Sequence, residues 1–265
     1  MNRRLFVLVA FGLSMVRPGS LLAGQASDIE VRVLYDNYVG EKGIAGLASD
    51  WGFACLITGT EKVVLFDAGT KGPLLLENMK RLNVRPSSIE AAVISHNHTD
   101  HTGGLISVLE QNGKIALFLP PSCPPSLVEK AEGFGAKAVV VTKPIEVCRG
   151  AFVIGPTGDK IIEQGLVLDT KQGLVLVTGC CHPGVVEMVR RAKEELKRDV
   201  WMVCGGFHLL QMSEADLKNV LAQLKKLGVR RVGPTHCTGD KAMALFKEAF
   251  GDNCVRMGVG SVLKY

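Results

Sequence analysis

The sequence lacks internal repeats, low-complexity tracts, linker-like stretches and any block of charge of one sign. These absences argue against several domains and against a nucleic-acid partner. The densest basic stretch, residues 190–198, alternates lysine and arginine with glutamate, and the formal net charge is only +5. A mild positive charge suits a small anionic substrate. With 265 residues, 47% of them hydrophobic, the chain can bury the core of one large α/β domain.

Long apolar runs are also missing, apart from a short one near the N-terminus. Arg3 and Arg4 precede an apolar run at residues 5–13, and small residues follow up to Ala26. This order is typical of a secretory signal peptide at 1–26, which leaves a domain at 27–265. The run is too short to span a membrane comfortably, so we expect no stable span in the mature chain. We therefore expect an exported protein, periplasmic or extracellular; the alternatives are an uncleaved anchor helix or a cytoplasmic protein whose signal is not used.

The cysteines follow no disulfide framework. There are eight of them, and an even count permits pairing in an exported protein, but their spacing leaves the pairing open. Cys180, Cys181 and Cys237 lie next to histidine-containing turns. One of these could be a soft metal ligand, although the histidines and an aspartate already supply the usual number of ligands.

Histidine is scarce, and three of the six histidines fall in one hexapeptide. His96, His98, Asp100 and His101 occupy residues 96–101, directly after an apolar strand-like run at 89–95. His96 and His98 are two positions apart, so in extended backbone they leave the same face of the chain. Imidazole and carboxylate together suit zinc, iron or manganese better than calcium or magnesium. The hexapeptide therefore predicts a metal site.

The other three histidines are His182, His208 and His236. Each lies in a glycine-flanked turn after an apolar run, and none lies on a helix surface or in a tail. If the strands carry these turns at one end, all six histidines meet at one rim of a sheet.

Strand-like and helix-like segments alternate along the rest of the chain. The patterns predict helices near 74–82, 126–133, 185–197, 213–224 and 240–250, and a final strand near 255–263. Residues 36–51 form a long loop, which we interpret either as a substrate cover or as a tolerated surface insertion. Asp67 follows a strand at a glycine turn, where it is expected either to support the metal ligands by hydrogen bonding or to cap the backbone.

The segment from Ser95 to Gly104 resembles the signature of the metallo-β-lactamase superfamily, and the order of Asp67, the hexapeptide, His182 and His236 is similar over 29–265. The turns around His182, His208 and His236 resemble the branch of dihydropterin-phosphate synthase-like proteins. This resemblance implies an α/β fold, a four-layer αββα sandwich with metals at one edge. It also implies one metal site from His96, His98 and His182, and another from Asp100, His101 and His236.

One position departs from the superfamily pattern. Most binuclear members bridge their metals with an aspartate after the fourth-motif strand, and here we place His208 at that position. Because imidazole does not bridge two metals as a carboxylate does, the second site is expected to be weaker or differently occupied. His208 is then a candidate catalytic residue, either as a donor to a substrate phosphate or as a proton shuttle.

Such a site favours hydrolysis of a small ester, most plausibly a phosphoester, by a metal-bound hydroxide, with Asp100 orienting the water. Zinc, as one or two ions, is the first choice of metal, with iron or manganese as alternatives. Three other functions remain open. One is a transferase that joins a pterin-methyl diphosphate to an aryl amine, another is a non-catalytic metal- or ligand-binding protein, and the third is a single-iron thiol oxygenase. The sequence indicates neither the substrate nor the oligomeric state.

Overall fold

The computed structural model describes residues 28–40 and 44–265. The predicted signal peptide at 1–26 lies outside the described residues and stays a prediction. Within the described part of the chain, two β-sheets and seven α-helices alternate along the sequence.

The first sheet has seven strands. In chain order they are β1 (Glu30–Tyr35), β2 (Ala54–Thr58), β3 (Val64–Phe66), β4 (Ala91–Val93), β5 (Ala116–Leu119), β6 (Lys137–Val140) and β13 (Val262–Lys264). Their spatial order is β13-β1-β2-β3-β4-β5-β6. Strands β3 to β6 run parallel to one another, whereas β1, β2 and β3 pair antiparallel.

The second sheet has six strands. They are β7 (Ile145–Cys148), β8 (Ala151–Val153), β9 (Leu166–Thr170), β10 (Gly173–Thr178), β11 (Val200–Gly206) and β12 (Arg231–Thr235). They lie in the order β12-β11-β10-β9-β8-β7, with β10, β11 and β12 parallel.

The helices cover the outer faces of the two sheets. They are α1 (Gly72–Arg81), α2 (Thr99–Thr102), α3 (Leu105–Gln111), α4 (Pro125–Gly133), α5 (Val185–Leu196), α6 (Glu214–Lys226) and α7 (Asp240–Phe250). Helix α6 begins as its sequence predicts, because Ser213 Oγ accepts a hydrogen bond from the amide of Asp216. Helix α5 buries Val185, Met188, Val189 and Ala192, the i, i+3, i+4, i+7 spacing of a helix with one apolar face.

Strand alternation divides the apolar side chains among three cores. In β10, Val175 and Val177 lie between the sheets, whereas Leu174 and Leu176 pack against α5 and α6. In β4, Val93 points between the sheets and Ala92 points towards α1 and α3. Successive strand residues face opposite sides, so each sheet has two buried faces. The four-layer αββα sandwich predicted from the resemblance is confirmed.

Two predicted elements differ from the structure. The first long helix begins at Gly72 rather than 74, because Pro73 fits the first turn of a helix, where its missing N–H is not needed. The predicted final strand at 255–263 shortens to β13, Val262–Lys264. Val255 is instead bonded through its amide to Val232 O, and Gly258 and Gly260 interrupt the intervening chain.

The carboxyl ends of β1, β3, β4, β10, β11 and β12 lie at the same edge of the sandwich. Beyond them come, in turn, Asn37, Asp67, His96, Cys180, His208 and His236. Ligand-binding groups gather at such an edge because parallel strands deliver their following turns to one side. Among residues 28–40 and 44–265, no helix combines the length and apolar character needed to cross a bilayer.

Candidate metal centre

The first group of candidate ligands is His96, His98 and His182. His96 Nε2 lies 3.1 Å from His98 Nδ1. The ring centroid of His182 lies 4.6 Å from that of His96 and 4.9 Å from that of His98. One nitrogen from each ring falls within a 4.8 Å span, so the structure brings together the three histidines that the resemblance implies for one metal site.

The second group is Asp100, His101, Cys180 and His236. Asp100 Oδ2 lies 3.4 Å from Nε2 of both His101 and His236. Cys180 Sγ lies 3.2 Å from His101 Nε2 and 3.4 Å from His236 Nε2. Ligands about 2.0–2.3 Å from a tetrahedral zinc ion are roughly 3.3–3.8 Å apart. The donor types and their spacing therefore fit a four-coordinate divalent ion.

Each histidine ring of the two groups, apart from His98, is oriented through its other nitrogen. His101 Nδ1 donates to Asp67 Oδ2 at 2.7 Å, and His182 Nδ1 donates to Glu163 Oε2 at 3.0 Å. His96 Nδ1 lies 2.9 Å from Ser95 Oγ, and His236 Nδ1 lies 2.8 Å from Asn37 Oδ1. A ring whose Nδ1 holds a proton in this way presents the lone pair of Nε2 to a bound metal.

Asp67 lies where the sequence placed a supporting carboxylate. It is fully buried and also accepts hydrogen bonds at 2.7 Å from the Ser95 amide and the Ser95 hydroxyl. A side chain at Gly179 would come within 2.1 Å of Ser95 Oγ and 2.9 Å of Asp67 Oδ2, so only glycine allows the second sheet to approach this pair.

Glu163 was missed by the sequence analysis, although it organises the third ligand of the first group. It is fully buried and accepts hydrogen bonds of 2.8–2.9 Å from the amides of Cys180, Cys181 and His182. Burial raises the pKa of Glu163, but the hydrogen bond from His182, the nearby ring of His96 and the backbone amides lower it to about 2. It is therefore a carboxylate that fixes the whole turn from 180 to 182.

Charge is unevenly divided between the two groups. Burial and the neighbouring His101 lower the pKa of His96 to about 2, so this ring is neutral. Burial also lowers the pKa of His101, but the carboxylates of Asp67 and Asp100 raise it to about 10. Burial raises the pKa of Asp100, yet its contacts with His101 and His236 hold it well below its ordinary range. Without an ion, the second group therefore pairs an anionic Asp100 with a protonated His101, whose Nε2 proton a bound cation would displace.

His208 lies outside both groups. Its ring centroid is 4.5 Å from that of His182, and its side chain is exposed. Cys180, rather than His208, faces Asp100, His101 and His236. That His208 takes the place of the bridging aspartate stays a prediction. The sequence signal for Cys180 was its position next to a histidine-containing turn. It was given little weight because the histidines and Asp100 already supplied the usual number of metal ligands.

Backbone strain is concentrated at this edge. Asp67, Cys181, His208 and His236 all have positive φ, between 50° and 63°. Non-glycine residues adopt this conformation only where the surrounding structure enforces it, and such residues cluster at functional sites.

Among its described residues, the loop at 36–51 contacts the second group through its two ends. Asn37 accepts from His236 Nδ1 and from the Gly52 amide. Trp51 Nε1 donates to Asp100 Oδ2 at 3.0 Å, and its ring centroid lies 5.2 Å from that of His236. Trp51 is nevertheless 50% exposed, so its indole lies at the mouth of the centre. Residues 41–43 of this loop lie outside the described residues.

We expect Trp51→Phe to weaken binding of an ion at the second group about 10- to 100-fold, the usual effect of losing a hydrogen bond to a metal ligand. The variant keeps an aromatic ring but removes the N–H that holds Asp100. Competitive zinc titration against a chelator measures the effect. Trp201→Phe, which changes a tryptophan packed on Tyr265 away from the centre, is the control. Equal affinities in the two variants would contradict the prediction.

The fold and the centre define a class: a metal-dependent enzyme built on two packed mixed sheets flanked by helices. The chain belongs to the metallo-β-lactamase superfamily, whose profile matches residues 52–190. It is similar to the 7,8-dihydropterin-6-methyl-4-(β-D-ribofuranosyl)-aminobenzene-5'-phosphate synthase of Methanocaldococcus jannaschii, with 31% identity over 91% of this chain and 98% of the relative. This confirms both the superfamily and the branch that the sequence resembles.

Solved structures agree with this assignment. One described as a metal-dependent hydrolase of the β-lactamase superfamily matches with a TM-score of 0.75 and 28% identity, over 89% of this chain and 99% of that one. A diphosphatase of the PhnP family matches with a TM-score of 0.60 and 18% identity, over 90% and 98% of the two chains. At that lower identity the likeness shows the fold alone.

Proposed function

We propose that the protein is a zinc-dependent hydrolase of a small phosphoester. The observation that carries the proposal is the pair of adjacent donor groups at one strand edge. His96, His98 and His182 would hold one ion, and Asp100, His101, Cys180 and His236 the other. Bound zinc supplies Lewis acidity, which lowers the pKa of a coordinated water to about 7 and polarises a phosphoryl oxygen.

Residues in and beside the two groups would orient the attacking water and donate a proton to the leaving group. Contacts with Trp51, His101 and His236 hold Oδ2 of Asp100 in place. The other carboxylate oxygen, Oδ1, then has a fixed direction in which it could orient a water. His208 is exposed beside His182, and its hydrogen bond to Cys237 raises its pKa, although burial opposes the shift. A larger protonated fraction near neutral pH suits His208 to donate a proton to a leaving oxygen.

Two observations favour phosphoesters over other esters. The superfamily relative with 31% identity is named for a product that carries a phosphate. The chain also has a formal net charge of +5, or +2 once Arg3, Arg4 and Arg17 are removed with the proposed signal peptide, and a mild positive charge suits an anionic substrate.

A transferase is the second candidate. The relative from Methanocaldococcus jannaschii is a synthase and aligns over 98% of its own length. For this chain the corresponding reaction would join a pterin-methyl diphosphate to an aryl amine, with the metals drawing on the diphosphate as leaving group. The signal peptide proposed at 1–26 argues against it, because pterin precursors are cytoplasmic.

Metal content and turnover, measured on one preparation, test the proposal. Protein purified without chelators is analysed for zinc, iron and manganese, then assayed with bis(p-nitrophenyl) phosphate and p-nitrophenyl phosphate. Two zinc ions per chain with turnover of either substrate support the hydrolase. One iron per chain, or bound metal without turnover, would overturn it. Diphosphate release that requires an added aryl amine would establish the transferase.

A further inference from the structure

A second thiol lies beside the thiol of the metal centre. The sulfurs of Cys180 and Cys237 and a ring nitrogen of His208 all lie within 4.8 Å of one another. Cys237 Sγ also donates to Cys180 O at 3.7 Å. Cys180 follows β10 and Cys237 follows β12, so the fold rather than the local sequence brings the two cysteines together. In the proposed function Cys237 serves only as the hydrogen-bond partner of His208, and neither the hydrolase nor the transferase uses its thiol as a metal ligand or nucleophile.

We propose that Cys180 and Cys237 form an oxidation site, which a peroxide converts into an intramolecular disulfide. Cys180 Sγ now lies 3.2 Å from His101 Nε2 and 3.4 Å from His236 Nε2. A disulfide requires about 2.05 Å between sulfurs, so this atom must turn from the two imidazoles towards Cys237. The same sulfur cannot be both a thiolate ligand and half of a disulfide. Oxidation and metal binding at the second group therefore exclude each other.

The reaction balances with hydrogen peroxide as the only co-reactant. One thiolate attacks a peroxide oxygen, the O–O bond breaks, and a sulfenic acid and one water result once the released oxygen takes a proton. The other thiol then attacks the sulfenic sulfur, forms the S–S bond and displaces the second water. The two cysteines lose two hydrogens in total, and the peroxide is reduced to two waters.

Access excludes the innermost cysteines, but the approach of the two sulfurs to each other selects Cys180 and Cys237, since Cys123, Cys148 and Cys254 are more exposed than either. Cys55 and Cys204 are both within the core between the sheets and have 0% exposure, so a peroxide has no route to them. Cys180 and Cys237 retain 4% and 3% exposure at the edge that carries the exposed His208. Cys181 is next to Cys180 in the chain but packs into the core under α5 and α6.

The two groups would respond differently. The second group loses its only sulfur donor, whereas His96, His98 and His182 contain no thiol. We therefore expect oxidised protein to bind one ion fewer and to keep the first. This consequence rests on the proposed second ion, but formation of the disulfide does not.

The experiment treats metal-free and zinc-loaded full-length protein with hydrogen peroxide. Intact mass, peptide mapping and zinc content are measured before and after treatment, and again after reduction with dithiothreitol. The metal-free protein is expected to lose two hydrogens and to yield a peptide linking Cys180 to Cys237. Zinc-loaded protein should oxidise at least tenfold more slowly, since coordination occupies the thiolate. Oxidised protein should rebind one zinc fewer, and reduction should restore it.

Two variants separate this proposal from general damage. Cys237→Ser should keep its zinc stoichiometry under a peroxide dose that releases one ion from the unchanged protein. Cys181→Ala, the neighbouring thiol, should still form the disulfide and lose the ion. A linkage through Cys181, oxidation without any linkage, or retention of both ions by the disulfide form would overturn the proposal. Failure of the reduced protein to bind a second zinc would instead contradict the proposed function, while peptide mapping would still decide whether the disulfide forms.

Discussion

Asp100→Asn is expected to lower turnover of the phosphoester substrate by about 10³-fold or more, or roughly 4 kcal/mol of transition-state stabilisation. The carboxylate Oδ2 is 3.4 Å from Nε2 of both His101 and His236 and accepts the indole N–H of Trp51. A neutral amide of the same size keeps the packing but is a poorer ligand for zinc than a charged carboxylate. Zinc analysis should show one ion lost, and steady-state kinetics should show the fall in kcat rather than in substrate affinity.

The control is Asp252→Asn, which neutralises a fully exposed carboxylate paired with Lys247 at 3.6 Å. It should retain both ions and the activity of the unchanged protein. A thermal denaturation scan separates loss of metal from loss of fold. If Asp100→Asn kept both ions and full turnover, the second group would have no part in the reaction.

Glu163→Ala is expected to destabilise the protein by about 3–5 kcal/mol, the cost of breaking a buried charged network by removing one partner. The truncation leaves three buried amides, at Cys180, Cys181 and His182, without their acceptor and releases the ring of His182. For a domain of this size the change corresponds to a fall in Tm of roughly 6–20 °C. Because His182 loses its orientation, affinity for the first ion should fall as well.

Glu163→Gln distinguishes charge from hydrogen bonding. Its amide oxygen can still accept hydrogen bonds from the backbone, so Glu163→Gln should be nearly as stable as the unchanged protein. It lacks the carboxylate that orients His182, so affinity for the first ion should stay low. Glu146→Ala, an exposed glutamate on β7, should change neither quantity. Equal stability of Glu163→Ala and Glu146→Ala would show that the turn at 180–182 holds its shape without the carboxylate.

The candidate ligands differ in how far the sequence could reveal them. His96, His98, Asp100 and His101 fall within six positions, and so dense a set of imidazole and carboxylate groups after a buried strand is typical of metal ligation. His182 and His236 lie far from the hexapeptide, but each follows an apolar strand and is flanked by glycine. Position at the end of a strand is a local property, so these ligands too were accessible to sequence reasoning.

The supporting residues were hidden because their roles depend on contacts distant in sequence. Glu163 lies in an irregular stretch between β8 and β9, where no periodicity marks a lone carboxylate as buried. Trp51 and Asn37 belong to a loop without a pattern, and Asn37 meets its partner His236 across 199 positions. Cys180 was one of three cysteines noted beside histidine turns, but its contact with His236 depends on β10 and β12 lying on either side of β11, an order that strand patterns do not encode.

The fold shows the same division. Helices with a complete apolar stripe, such as α5, could be bounded to within a residue or two. The predicted final strand was too long because apolar residues outside β13 were counted as strand. Val259 makes only an isolated bridge with Val39, and Val255 bonds through its amide to Val232 O, so neither belongs to a continuous ladder. Apolar residues predict that such a segment is buried. Whether it also forms a strand depends on whether another strand lies beside it to pair with.

The contacts of Glu163 also bear on the order in which the centre can assemble during synthesis. Glu163 reaches the turn at 180–182 across only 17 to 19 positions, so the last ligand of the first group can be set as soon as that hairpin has formed. Asn37 can contact His236 only after synthesis has reached that residue, 199 positions later and near the end of the chain. A ribosome-bound chain therefore contains every ligand of the three-histidine group before it contains the last ligand of the second group. A chain that ends before residue 236 would include His96, His98, His182 and Glu163 but lack His236.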